Sequence, residues 1–239
     1  MLNCTFVDKD FKSQKDIKDI KLSRPIAGGA MFVENYFENW RKARIDKLVN
    51  ILGKEWFKGK TILELGCGFG HVGKEIKKLG SIVVFSDARE EYVEEIRKDN
   101  EDSDIYIIDN DIPWDMERKF DLIIHWGLLY HLENWKKDLE CCLKHSGLIS
   151  IETEVSDSAD VNFEVVRNEG HYDAAVNGIG KVPAVGNIEN YLTEIGFLFK
   201  RYDDTDLNNG VMCYDWEEGK FGNATLNGHR RFWMARREG

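Results

Sequence analysis

The sequence has no apolar run approaching the roughly 18 residues that a bilayer-spanning helix needs, so no membrane partner is expected. Its opening stretch, residues 1–12, is polar and charged and lacks the apolar core of a secretory signal. The five cysteines, Cys4, Cys67, Cys141, Cys142 and Cys213, are scattered and odd in number. They form no C-x-x-C pair, and the histidines form no H-x-x-x-H pair, so no resident metal is expected. A reducing, cytoplasmic setting suits such thiols. An excess of basic charge is also missing: 33 Lys and Arg stand against 43 Asp and Glu, a net charge of −10. A domain that tracks a nucleic-acid backbone carries a basic face, so nucleic acid is a disfavoured partner. One local exception, Lys9, Lys12, Lys15, Lys18 and Lys21, reads as a solvated face interleaved with Asp10, Asp16 and Asp19. Internal repeats, low-complexity tracts, Walker-type phosphate loops, nucleophile elbows and kinase signatures are absent as well. Their absence removes several large enzyme classes.

With 42% hydrophobic and 32% charged residues over a length of 239, the chain suffices for one large domain whose core needs no covalent staples. Residues 1–35 read as an N-terminal extension, with Phe32-Val-Glu-Asn-Tyr-Phe37 placed to fold over a ligand as a lid. Residues 36–239 form the main domain. Between Asn35 and Leu52 the apolar positions Phe37, Trp40, Ala43, Ile45, Leu48, Val49 and Leu52 recur at near-helical spacing, and Gly53 ends the pattern. Strands and helices then alternate. Thr61 to Leu65 reads as a strand followed by a helix through Lys78, and Ser81 to Phe85 as a strand followed by a helix from Glu90 to Asp99. Ile105 to Ile108 and Asp121 to His125 are further strands, then Trp135 to Lys144 a helix and Leu148 to Ile151 a fifth strand. This alternation means parallel βαβ units in an open, doubly wound α/β sheet. After Glu154 the rhythm breaks. Residues 155–187, punctuated by Gly178, Gly180, Pro183 and Gly186, read as an insertion on the substrate side without long regular elements. A helix resumes from Asn190 to Ile195, with strands at Phe197 to Lys200 and Arg231 to Ala235.

Three loops carry the chemistry. Glu64-Leu-Gly-Cys-Gly-Phe-Gly70 lies between a strand and a helix, where glycines let backbone approach a ligand closely and the helix N-terminus offers free N–H groups. Asp87 follows the second strand, where a carboxylate can accept both hydroxyls of a ribose. Asp109-Asn-Asp111 follows the third, where a side chain and a neighbouring N–H can read an adenine edge. All three lie at the carboxyl ends of adjacent strands, the place where open α/β sheets bind ligands. A competing pattern, Gly68-Phe-Gly-His-Val-Gly73, fits the G-x-G-x-x-G of dinucleotide sites. There the first glycine directly follows the strand, whereas here Gly66 does, and Glu64 would sit badly beside a pyrophosphate. Glu64 suits a ligand carrying an ammonium and a sulfonium.

Glu64-x-Gly66-x-Gly68-x-Gly70, Asp87 and the block Phe120-Asp-Leu-Ile-Ile-His-Trp-Gly-Leu-Leu-Tyr-His-Leu132 together resemble the motifs of class I S-adenosylmethionine-dependent methyltransferases. The resemblance covers residues 36–154, and more loosely Glu189 to Phe199 and the last strand. It implies a Rossmann-like sheet of seven strands, the last antiparallel and inserted between the fifth and sixth. It implies S-adenosyl-L-methionine as cofactor, with Gly66, Cys67, Gly68 and Gly70 bordering the methionine moiety. Asp87 and Ala88 would lie at the ribose, Asp111 and Ile112 at the adenine, and His125 and Trp126 at the sulfonium. Leu129-Tyr-His131 and Ile151-Glu-Thr-Glu154 are similar to enzymes that carboxymethylate a wobble uridine in tRNA. Tyr172 to Pro183, Tyr214-Asp-Trp216 and Arg230-Arg-Phe-Trp233 are similar to a pattern in methyltransferases associated with glycan synthesis.

Methyl transfer is an in-line displacement in which the protein aligns the nucleophile and, for an oxygen nucleophile, removes a proton. His131 is the first candidate base, with His171 and Tyr172 in the insertion next. Glu152 and Glu154, ending the fifth strand, are candidates to meet a cationic acceptor or a metal, or else lie at the surface. Trp126, Tyr130 and Tyr172 are candidates to wall the acceptor pocket. The acceptor expected is a small molecule or a sugar-containing compound. A tRNA base is the alternative substrate, and a non-catalytic cofactor-binding module the alternative of another class.

Overall fold

Short apolar runs separated by helical stretches build one sheet covered on both faces. The computed structural model of the protein describes residues 35–169, 175–222 and 228–237. The lysine stripe, the expected lid up to Glu34, and the candidates His171 and Tyr172 lie outside the described residues. The strands in chain order are β1 (Thr61–Leu65), β2 (Ile82–Asp87), β3 (Ile105–Ile107), β4 (Leu122–Trp126), β5 (Leu148–Glu154), β6 (Glu164–Asn168), β7 (Ile179–Pro183), β8 (Phe197–Tyr202) and β9 (Arg230–Arg237). Seven of them form the main sheet in the order β3-β2-β1-β4-β5-β9-β8. The first five are mutually parallel, and β9 runs antiparallel to both β5 and β8. This is the Rossmann-like arrangement with an inserted antiparallel last strand.

The helices are α1 (Asn35–Leu52), α2 (His71–Lys77), α3 (Glu90–Asp99), α4 (Trp135–His145) and α5 (Val185–Glu194). Because side chains alternate along a strand, β1 sends Ile62 into one apolar cluster and Leu63 and Leu65 into the other. The first cluster joins Trp40, Leu48, Val72, Ile76 and Ile96 from α1, α2 and α3. The second joins Trp135, Leu139, Ile188 and Leu192 from α4 and α5. Every residue of β4 is buried, as expected for a central parallel strand covered on both sides. From β1 the chain first moves outward to β2 and β3, then returns to place β4 on β1's other edge. That reversal opens a crevice at the carboxyl ends of the strands.

The structure corrects the reading after Glu154. Within 155–187 lies a hairpin, β6 against β7, paired from Glu164↔Pro183 to Asn168↔Ile179. Its strands are only half-buried and carry Arg167, Asn168, Gly180 and Lys181, so no apolar run marks them. Helix α5 begins at Val185 rather than Asn190; Val185, Ile188 and Leu192 face the core at helical spacing that Pro183 and Gly186 obscured. Strand β5 continues to Glu154 because β9 pairs with it along its whole length. Asp87 is the last residue of β2 rather than a residue beyond it.

Gly73 sets how closely α2 approaches the sheet. A Cβ there would stand 2.5 Å from Glu64 Oε2 and 2.9 Å from Val83 Cγ1, inside contact distance, and would press on the Phe85 ring. Overpacking of this kind destabilises by roughly 1–3 kcal/mol. Gly73→Ala is expected to lower unfolding free energy by that amount in a urea titration; unchanged stability would mean that α2 slides freely on the sheet.

Candidate functional site

The crevice encloses a cavity of about 340 Å³, within the range of small-ligand sites. At one end lies the loop from β1 to α2. Gly66, Gly68 and Gly70 all take left-handed backbone, with φ of 57°, 54° and 68°, which only glycine adopts without strain. At Gly68 no atom lies within 4 Å of where a Cβ would be, leaving bare backbone open to a ligand. Its N–H donates to Asp87 Oδ2 at 2.9 Å, and the Arg89 N–H donates to Oδ1 at 3.0 Å. The carboxylate is thus aimed by two amides, and each oxygen keeps a further acceptor position. Burial pushes the Asp87 pKa up, against these hydrogen bonds.

Behind the loop, Glu64 Oε2 accepts the Gly73 N–H at 2.8 Å. Burial, with a smaller push from Asp87 and against the Gly73 bond and the Arg44 charge, raises its pKa to about 8. Gly73, which completes the dinucleotide pattern, is a packing residue under Glu64 and Phe85 and does not line the cavity. On the next strand end, Asp109, Asn110 and Asp111 line the wall. Asp111 Oδ1 accepts the Asn134 N–H at 2.8 Å, which ties this loop to the start of α4.

Among the candidates, Glu64, Gly66, Cys67, Gly68, Asp87, Ala88, Asp111, Trp126, Tyr130 and His131 line the one cavity. Three others do not. Gly70 caps α2 and packs against the Phe85 ring, 3.1 Å from its would-be Cβ. Ile112 points outward and is 59% exposed. His125 is fully buried on the opposite face of β4 from Trp126, its Nε2 2.6 Å from Asp138 Oδ2. Asp138 also accepts from Asn110 Nδ2 and Trp114 Nε1, so His125 belongs to a structural network linking β4 to α4.

At the other end of the cavity, a 3-10 turn over Leu129–His131 presents Tyr130 and His131. His131 Nδ1 lies 2.5 Å from Glu169 Oε2, and the same oxygen accepts the Ala175 N–H at 2.9 Å. Burial works to raise the Glu169 pKa, but the hydrogen bond and charge of His131 hold it below the usual carboxyl value. A carboxylate there accepts a proton-bearing Nδ1, an assignment made from the network, and leaves Nε2 as the acceptor. Sequence reasoning missed Glu169: it is 38 positions from His131, and only the β6–β7 hairpin, which packs on the turn, brings them together.

Sequence reasoning also missed Arg44 and Arg230, which line the cavity with Trp40. Arg44 Nη1 donates to Glu152 Oε2 at 3.0 Å. Arg230 Nη1 donates to both Glu152 oxygens, at 3.1 and 3.3 Å. Glu152 is therefore neither a surface group nor an acceptor contact; it is fully buried beneath the cavity. Glu154 is likewise buried and engaged by both terminal nitrogens of Arg167. Among the described residues no group of three His, Cys, Asp or Glu side chains is placed to hold a metal. No described helix is long and apolar enough to cross a membrane.

A family model described as a methyltransferase domain matches residues 36–198. Among solved structures, the N-terminal domain of EvdMO1, crystallised in the presence of SAH and D-fucose, is similar at 16% identity. It covers 86% of this chain and 84% of its own, with a TM-score of 0.63. An S-adenosylmethionine-dependent methyltransferase from Mesorhizobium loti is 18% identical over 82% of this chain and 98% of its own, with a TM-score of 0.60. Magnesium protoporphyrin IX methyltransferase from Synechocystis, with bound SAM, is 14% identical over 95% and 100%, with a TM-score of 0.56. Comparison with curated proteins gives no match.

The Glu64 carboxyl makes stability depend on pH. Unfolded, it ionises near 4.5; folded, near 8. Between those values the folded chain holds the extra proton, so its contribution is complete below the lower value and is lost as pH rises through the higher. Urea titrations from pH 5 to 8 are expected to show a decline, on the order of a few kcal/mol, that Glu64→Gln flattens. Parallel profiles for the two proteins would mean that Glu64 stays ionised when folded.

Proposed function

The chain belongs to the methyltransferase-domain family, and on that premise we propose that it moves the methyl group of S-adenosylmethionine to a hydroxyl of a small-molecule or sugar-containing acceptor. The observation that carries the proposal is the position of the His131–Glu169 pair in the same crevice as Gly68 and Asp87. A cofactor-binding module without turnover has no use for a positioned base.

The residues present fit the cofactor. Asp87, with both oxygens oriented by backbone amides, is suited to a ribose diol. Asp109 and Asp111 stand where the adenine would lie. The open backbone at Gly66 and Gly68 suits the methionine portion, whose ammonium would favour the ionised form of Glu64. When bound, the cofactor supplies an electrophilic methyl on a sulfonium leaving group. His131 Nε2 takes the acceptor's hydroxyl proton as the new C–O bond forms, while Glu169 holds the ring and stabilises the imidazolium. Trp126 and Tyr130 wall off water. A crevice of this size in an acidic chain favours a small acceptor over tRNA, and the D-fucose present with the EvdMO1 domain is in keeping with a sugar-bearing one.

Calorimetry with S-adenosylmethionine and S-adenosylhomocysteine tests the cofactor end. Asp87→Ala is expected to lose about 2 kcal/mol or more of binding, from charge-assisted hydrogen bonds; wild type that binds neither ligand overturns the proposal. Screening hydroxylated acceptors with labelled cofactor tests the other end. His131→Ala is expected to lower turnover about 10²- to 10⁴-fold without weakening cofactor binding. Glu169→Gln is expected to lower it less and to shift the acidic limb of the pH–rate profile. Turnover unaffected by His131→Ala would remove the base from the mechanism.

A further inference from the structure

At the acceptor end of the cavity two guanidiniums share one bonded carboxylate. Two guanidiniums, Arg44 and Arg230, are 5% and 4% exposed, and both lean on the single carboxylate of Glu152. Trp40 lies against both, its ring 3.8 Å from the Arg44 carbon and 4.7 Å from that of Arg230. Among the described residues no second carboxylate bonds to either; Glu154 acts on Arg230, and Glu64 feels Arg44, only across space. Glu154 is taken by Arg167 and Glu169 by His131. The hydroxyls of Tyr130 and Tyr214 remain neutral, burial raising both. The Nε of Arg44 is buried without any hydrogen-bond partner. A guanidinium N–H left unpaired in a low-dielectric wall is unfavourable until an acceptor joins it.

From this arrangement we infer that the methyl acceptor is an anionic small molecule, whose carboxylate or phosphate docks against Arg230 and Arg44 while its hydroxyl faces His131. The inference rests on the proposed methyl transfer and names the acceptor's chemical class. The distances suit it. Arg230 lies 5.0 Å over the Tyr130 ring and donates from Nη2 to its hydroxyl at 3.2 Å, and that ring's centroid is 4.0 Å from the His131 ring, tilted by 41°. Anchor and base are thus separated by one tyrosine, which calls for a compact acceptor with its hydroxyl close to its anionic group. Arg230 keeps a second N–H on Nη2 for the anion, since Nη1 is committed to Glu152 and Nε to Met212.

The cofactor's own carboxylate is the competing occupant, and the test separates the two. Wild-type protein saturated with S-adenosylhomocysteine is titrated calorimetrically with benzoate, phenyl phosphate and the neutral isostere benzamide. At least one anion is expected to bind about tenfold or more tighter than benzamide. Arg230→Gln is expected to erase that preference while S-adenosylhomocysteine affinity stays within about twofold, and Arg230→Lys to retain part of it. Equal binding of all three probes to wild type overturns the inference with no mutant needed. A variant that melts cooperatively but loses S-adenosylhomocysteine affinity together with anion affinity also overturns it, assigning the pair to the cofactor. Wild type that fails to bind S-adenosylhomocysteine at all instead overturns the methyl-transfer reading beneath.

Discussion

Glu152 is a carboxylate with no solvent exposure at the carboxyl end of a central strand, and satisfying it organises everything above the sheet. Desolvating such a group costs several kcal/mol, recovered only if good partners converge on it. They come from three separate pieces of chain: Arg44 from α1, Arg230 from the start of β9, and the Tyr214 hydroxyl, 2.8 Å away, from the preceding loop. Tyr214 in turn accepts the Trp40 indole N–H at 2.7 Å. Helix α1 is therefore held over the crevice by a polar anchor as well as by Leu48 and its apolar neighbours. Removing Glu152 would strand both guanidiniums as buried charges, the expensive way to break an ion pair. The same anchor gives the cavity its second wall, so stability and the shape of the site depend on one set of bonds.

At the other end the controlling constraint is closeness rather than charge. Helix α2 lies near enough to the sheet that only a glycine fits at position 73, and that proximity delivers its amide to Glu64. Asp87 is held in the same manner by the amides of Gly68 and Arg89. Acceptors fixed by backbone donors need not reorganise when a ligand arrives, which is what preorganisation requires. The glycine loop thus does two jobs: it exposes backbone to the ligand, and it orients the carboxylates that surround it.

How much of this was legible in the sequence follows from the range of each interaction. The bounds of α1 and α3, the alternation of parallel strands with helices and the lining role of Gly66, Gly68, Asp87 and Asp111 rest on local patterning and a contiguous motif. His125 is expected at the sulfonium through its backbone, and its side chain turns away because faces alternate along a strand, whereas Ile124 and Trp126 look into the crevice. Gly70 and Ile112 lie beside the lining residues, at turns where direction changes fastest. Arg44 falls midway between the core positions Trp40 and Leu48, four residues from each, so helical periodicity puts it on the buried face. It reads as an ordinary surface charge until Glu152, 108 positions away, is seen beneath it. Glu169 was hidden for the same reason, on a hairpin whose strands lack an apolar run.

The strands distribute charge around the cavity according to their direction. Parallel β1, β2 and β3 end near Glu64, Asp87 and Asp109, carboxyls at the end where a ribose, an adenine and an ammonium would be held, with Arg89 beside Asp87 and the Arg44 charge acting on Glu64. Arg230 enters beside the histidine from antiparallel β9, on the far side of β4 and β5. Because β9 runs against its neighbours, it is its first residue, not its last, that reaches the crevice. Arg230 arrives there opposite Glu154, two residues beyond Glu152, through the register of β5 with β9. The inserted last strand is thus more than a topological signature: its direction carries a cation to an end of the sheet where the parallel strands deliver acids.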